Sequence, residues 1–159
     1  MMSLKVSHSV LINAPPSAVW HVTADVARWA DWSPNITAVA GWGCGLLFQD
    51  ARFDLKQPWQ RRRTWIVLRC AAPHSLLLRT AEGDMTALHE VAGTEHGSRS
   101  RLTLELTGRL ARLARPIFYF ALRRENEGLK RRCERYAEGD TDARQVTVPG
   151  SRRNMKSRS

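Results

Sequence analysis

His8 and His89 are the two histidines that fall on expected strands, and either would serve as a general acid or base if its ring faced an interior space. Glu90 follows His89, but strand alternation turns it to the opposite face, so the two do not form a dyad. Trp65, Val67 and Arg69 share one face of another expected strand, and Ile66, Leu68 and Cys70 share the other. Alternation alone does not choose the inward set. An arginine turned into an apolar interior stays charged and must be paired, and there it would orient a carboxylate or polarise a carbonyl. Glu125 sits at the edge of an apolar helical stripe that also carries Leu122 and Leu129. Cys44, Cys70 and Cys133 are odd in number and far apart, with no CxxC spacing and no paired histidines nearby. That argues against a tetrahedral zinc site and points to a reducing, cytoplasmic setting, with no metal and no cofactor implied.

The elements that must position these side chains are organised around one long helix expected over Leu110–Glu138. Leu110, Leu113, Ala114, Ile117, Phe118, Ala121, Leu122, Leu129, Cys133 and Tyr136 recur at helical spacing, while Arg115, Arg123, Lys130 and Arg131 fall mainly on the opposite side. Pro116 removes a backbone donor near the start, which predicts a kink or a fresh helix start there. Gly128 weakens a helix, and its usual compensation is close packing against another backbone. Ion pairs along the helix, such as Glu127 with Arg131, account for charges that need no site.

Before that helix the chain reads as strands. Leu4, Val6, Val10 and Ile12 alternate with Lys5, Ser7, Ser9 and Leu11, and His8 shares their inward parity. Asn13 is placed to cap, and Pro15 and Pro16 suit the first turn of a helical region that runs to about Ala30 with a break near Asp25. Ser33-Pro34 ends it, because the residue before proline is driven to extended geometry. Turn signals then divide six further strands, over 36–41, 46–56, 63–70, 75–80, 85–91 and a last one with Leu102, Leu104 and Leu106 on one face. The economical arrangement is a curved sheet wrapped around the final helix.

The chain of 159 residues is long enough for one domain with a core of its own. It has no apolar run long enough to span a bilayer, and its N-terminus lacks the pattern of a signal peptide. The net charge is +10. Residues 139–159 hold five basic and two acidic residues and no apolar period, which reads as a basic disordered tail after a domain of residues 1–138. Basic surface attracts nucleic acid or anionic lipid alike. No helix-turn-helix, zinc-finger or aromatic RNA-binding pattern supports nucleic acid, which is therefore an unlikely partner. Trp42 and Trp59 fall in turns, and Arg61-Arg62-Arg63 follows Trp59 directly, a combination suited to a lid or to peripheral contact with an anionic membrane.

With strand, short helices, six-stranded meander and long C-terminal helix in hand, the opening segment becomes recognisable. Ser9-Val10-Leu11-Ile12-Asn13-Ala14-Pro15, then Val19-Trp20-His21-Val22-Thr23-Ala24-Asp25 and Trp29, resembles the start of the START-like superfamily, and most of all its SRPBCC polyketide cyclase/dehydrase and lipid-transport branch. The likeness covers about Leu4 to Glu138. It implies an α+β helix-grip fold: a curved antiparallel seven-stranded sheet around a long C-terminal helix, with short helices after the first strand. It also implies an apolar cavity between sheet and helix that takes a hydrophobic small molecule or lipid without a cofactor. Implied ligand contacts are Trp65, Val67, Arg69, His8, Leu122, Glu125 and Leu129. Aromatase/cyclases of the branch carry a tryptophan and an arginine at the spacing of Trp65 and Arg69, which favours both pointing inward, with Glu125 a possible partner for Arg69 across the cavity. An enzyme of that type, with Arg69, His8 and His89 as catalytic candidates, is one alternative, and a membrane-associated lipid or quinone carrier is another. The chain departs from those cyclases at Ile36, where they place a tyrosine.

Overall fold

The structure is a computed structural model that describes residues 3–108 and 111–145, without the side chains of 112 and 140–145. The alternating apolar residues of the first segment form β1 (Ser3–Ile12). Six further strands follow: β2 (Ala38–Ala40), β3 (Arg52–Lys56), β4 (Arg63–Ala71), β5 (Ser75–Thr80), β6 (Met85–Thr94) and β7 (Gly97–Thr107). They make one antiparallel sheet in the order β1-β7-β6-β5-β4-β3-β2. The expected strands over 36–41 and 46–56 are shorter than their patterns suggested, because Gly41 and Gly45 adopt positive φ and the chain between them turns.

Register explains the core. Leu4 pairs with Leu106, Val6 with Leu104 and His8 with Leu102, so the inward parities of β1 and β7 coincide. Leu4, Val6, Leu102, Leu104 and Leu106 are all buried. Between β1 and β2 lie α1 (Pro16–Ala24), a 3₁₀ turn (Val26–Arg28) and α2 (Trp29–Trp32), so the break expected near Asp25 is present. Asn13 does not cap α1; Pro15 is the N-cap residue and carries no side-chain cap bond. The Asn13 backbone N–H instead donates to Glu134 Oε1 at 3.0 Å.

After β7 a 3₁₀ turn (Ala111–Ala114) leads into α3 (Arg115–Gln145), with Pro116 in the first turn, where its missing donor costs nothing. The chain therefore restarts its helix at the proline. Leu110, the expected first residue, lies outside the described residues, as does 146–159 of the expected tail. The helix itself continues past Glu138 to Gln145, so the first part of that tail is helical. α3 packs against β1 and α1. At Gly128 a Cβ would meet the Trp32 carbonyl oxygen at 2.5 Å, so the glycine is what lets α3 approach α2 this closely. Along the exposed side, Arg123 pairs with Glu127 at 3.0 Å and Lys130 with Glu134 at 2.5 Å; Glu127 thus uses the arginine before it rather than Arg131.

Candidate functional site

Between the concave face of the sheet and α3 lies a cavity of about 420 Å³, within the range of roughly 300–1,000 Å³ common for small-molecule sites. Trp65, Leu78, Met85, Ala87, His89, Leu102 and Leu104 line it from β4 to β7. Trp29 and Ile36 close one side. From α3 come Phe118, Ala121, Leu122 and Glu125, a spacing that puts all four on one helical face. The cavity opens between the β3–β4 loop, with Pro58, Trp59 and Gln60, and the start of α3, with Ile117, Phe120 and Arg124.

Only a few polar groups interrupt these walls. Glu125 is buried, and its Oε2 accepts hydrogen bonds from Ser33 Oγ and from Asn35 Nδ2, the latter at 2.9 Å. Asn35 Nδ2 also donates to the Ala121 carbonyl at 2.8 Å, so the turn that ends α2 is clamped to one turn of α3. Ser33 and Asn35 reach this place because Ser33-Pro34 forces extended backbone and ends α2 there. Burial pushes the Glu125 carboxyl up, and the bonds from Ser33 and Asn35 offset that only in part. His89 is buried with its ring 5.7 Å from that of Trp29, and burial lowers its pKa to about 4, so the imidazole is neutral near neutral pH. Trp65 Nε1 is enclosed with no hydrogen-bond partner among the described residues. Arg124 is the one cation of the lining among the described residues, and it stands at the mouth, 5.7 Å over the exposed Phe120 ring.

Of the residues singled out in the sequence, Trp65, His89, Leu122 and Glu125 meet at this cavity. Val67 and Leu129 are buried but lie outside its lining. Val67 is covered where residues 50 and 51 hydrogen-bond to it, with Asp50 N–H donating to its carbonyl and its own N–H donating to Ala51, both at 2.9 Å. Leu129 follows Gly128, where α3 is pressed against α2 and leaves no space. His8 keeps the inward parity but is taken up by Asn126, whose Nδ2 lies 2.8 Å from the His8 carbonyl oxygen and 2.9 Å from Nδ1.

Arg69 does not point inward. The β4–β5 register shifts between Val67 and Arg69, and Leu68 is the extra residue of a β-bulge. The bulge inverts parity, so Arg69 is exposed on the outer face opposite Leu77, while Cys70 turns inward opposite the buried Leu76. The expected ion pair with Glu125 is accordingly not formed; Glu125 uses Ser33 and Asn35. Those two residues and Asn126 went unrecognised in the sequence, where each looks like an ordinary turn residue or a flaw in the stripe. Trp42 is half-buried, donating from Nε1 to Gly45 at 3.1 Å and packing on Phe48, so it is no free tip. Trp59 is fully exposed. Among the described residues no group of three His, Cys, Asp or Glu side chains could hold a metal ion.

Residues 3–134 match the sequence profile of the family described as polyketide cyclase/dehydrase and lipid transport. No curated protein matches the chain. Among solved structures, the protein MLL2253 from Mesorhizobium loti superposes with a TM-score of 0.68 at 16% identity, covering 83% of this chain and 98% of that one. The KanY protein superposes with a TM-score of 0.66 at 21% identity over 87% of this chain and 100% of its own. The di-domain ARO/CYC StfQ from the steffimycin biosynthetic pathway gives 0.65 at 10% identity, over 88% of this chain and 52% of that one. At these identities the likeness is one of fold: a curved antiparallel sheet gripping a long C-terminal helix.

Proposed function

Because the chain belongs to the polyketide cyclase/dehydrase and lipid transport family, we propose that its cavity binds a neutral hydrophobic small molecule bearing a hydroxyl or carbonyl group. The observation that carries this reading is the contrast between the walls and the few polar groups set into them. Leu78, Leu102, Leu104 and Leu122 offer burial to an apolar body, worth roughly 25 cal/mol per Å² removed from water. Glu125, His89 and the unpartnered Trp65 Nε1 are buried hydrogen-bonding groups that such a body would meet, and none is a cation near neutral pH. A ligand carboxylate carried past Arg124 at the mouth would therefore lie in the interior without a counter-ion and beside a carboxyl, which costs several kcal/mol by the usual scale for an unpaired buried charge, about 3–5. Arg69 on the outer face lends no support to the aromatase/cyclase alternative.

The test is a pair of fluorescence titrations near neutral pH. Following tryptophan quenching, 2-naphthol should bind saturably, and 2-naphthoate, of similar shape but charged, should bind at least about tenfold more weakly, a difference of 1.4 kcal/mol. Equal binding of the two, or tighter binding of the carboxylate, would reject a neutral ligand.

A further inference from the structure

The mouth of the cavity exposes more apolar surface than a folded chain needs. Trp59 is 103% exposed, Ile117 70% and Phe120 58%, and all three line the opening. Leu113, in the turn just before α3, is 79% exposed. Trp59 has φ of +64°, a left-handed backbone that is rare for a bulky residue, and its side chain recovers no burial in return. Contiguous exposed apolar groups of this kind mark interaction surfaces. Basic residues lie close to them along the chain: Arg62 ends the β3–β4 loop, Arg115 begins α3, and Arg124 lies at the opening itself, and none of the three forms an ion pair among the described residues.

We propose that this rim is a docking surface for an anionic lipid bilayer, with Trp59, Ile117 and Phe120 entering the headgroup region and the arginines meeting lipid phosphates. Charge decides the occupant. A second copy of a chain with net charge +10 would bring like charge against like. The chain's own segment 146–159 holds four basic and no acidic residues, and a basic rim would repel it as well. Single-stranded nucleic acid would satisfy the arginines and aromatic rings but makes no use of Ile117 and Leu113 or of the apolar cavity behind them. An anionic bilayer matches both the charge and the grease, since basic residues are drawn to its surface and amphipathic aromatic rings settle at its interface. No helix among the described residues is long and apolar enough to cross a membrane, so the contact would be peripheral. The proposal rests on the cavity-binding reading for its purpose, because a ligand drawn from a bilayer would enter by this mouth.

The experiment is co-sedimentation of the full chain, without added ligand, with vesicles of phosphatidylcholine alone or mixed with phosphatidylserine. Binding is expected to the mixed vesicles at low salt, with weakening as salt rises. The variant carrying Trp59→Ser, Ile117→Ser and Phe120→Ser should bind the mixed vesicles about tenfold more weakly while its circular dichroism stays that of the parent. If that variant fails to fold, Trp59→Phe alone serves: vesicles should blue-shift the parent's emission and leave the variant's unmoved. Equal retention of parent and triple variant would mean attraction by charge alone and would overturn the proposal. Binding to single-stranded DNA in place of vesicles, or a dimer in the ultracentrifuge that the triple variant abolishes, would overturn it too. Loss of 2-naphthol binding with vesicle binding intact would sink the cavity reading and leave the docking surface standing.

Discussion

The two halves of α3 meet the same protein in different ways. From Leu122 to Cys133 the helix is a packed element: Leu122, Glu125, Asn126, Leu129 and Cys133 are buried, and Gly128 touches the backbone of α2. From Ile117 to Phe120 it is open, with Ile117, Tyr119 and Phe120 exposed at or near the cavity mouth. Burial pushes the Cys133 thiol up to about 12, so in the packed half even a nucleophilic group is inert. The difference separates two tasks along one helix. One half holds the sheet and short helices together, and the other frames an entrance, with Glu125 and Leu122 at the boundary facing the cavity.

Substitutions at matched apolar positions should break this comparison most visibly. Leu129→Ala, in the packed half, is expected to cost about 3 kcal/mol of stability by urea denaturation. Ile117→Ala, in the open half, should stay within about 0.5 kcal/mol of the parent. Equal costs would erase the division.

A second test uses acid. The folded-state pKa of His89 lies near 4, below the ordinary value of 6.5. The unfolded chain therefore binds more protons between those values, and stability falls as pH drops from about 6.5 to about 4. The shift corresponds to at most about 3–4 kcal/mol. His89→Gln should flatten this slope, as read from thermal unfolding across that window.

Gly128→Ala comes next. A methyl group there gains about 1 kcal/mol of helix propensity, but it would drive into the Trp32 carbonyl at 2.5 Å. Because backbone stands on both sides, the clash should win, with a net loss of about 2 kcal/mol.

The smallest effect expected is at Glu125, whose carboxyl is raised by burial. The folded state keeps its proton where the unfolded state has lost it, so stability contributed by the neutral form falls as pH rises from the ordinary carboxylate range through the raised value. Glu125→Gln removes that dependence. The variant should gain stability relative to the parent as pH rises through this window, and a constant difference would mean that the carboxyl is not perturbed.

The packed half of the molecule was the legible half. Leu102, Leu104 and Leu106 alternate plainly and Gly128 points to a close backbone approach, because each obeys a local rule tied to burial; Pro116, outside that half, marks the restart of the helix by its missing backbone donor. Arg69 could not be placed in the same way. Its parity depends on a single extra residue, Leu68, and nothing local distinguishes a bulge from a continuous strand. The clamp on Glu125 was hidden for another reason. Ser33 and Asn35 are separated from it by about ninety positions, and their roles exist only once α2 and α3 are packed together. Long-range polar contacts leave no periodic trace, whereas apolar faces do. The exposed tip is half visible: Trp59 stands out as an indole in a turn beside a basic run, but Ile117 reads as part of the helical stripe and Phe120 carries no signal of its own.

The central claim is that ligand enters the cavity rather than resting on its rim, and the six tryptophans allow a direct reading by ¹H–¹⁵N correlation of their indole N–H signals. Trp29 and Trp65 line the interior, Trp59 stands at the mouth, and Trp20 and Trp42 lie outside the lining. Saturation with 2-naphthol should shift the Trp29 and Trp65 signals, assigned by Trp29→Phe and Trp65→Phe, while those of Trp20 and Trp42 hold still. Movement of Trp59 alone, with Trp29 and Trp65 unchanged, would place the ligand on the rim and contradict the account.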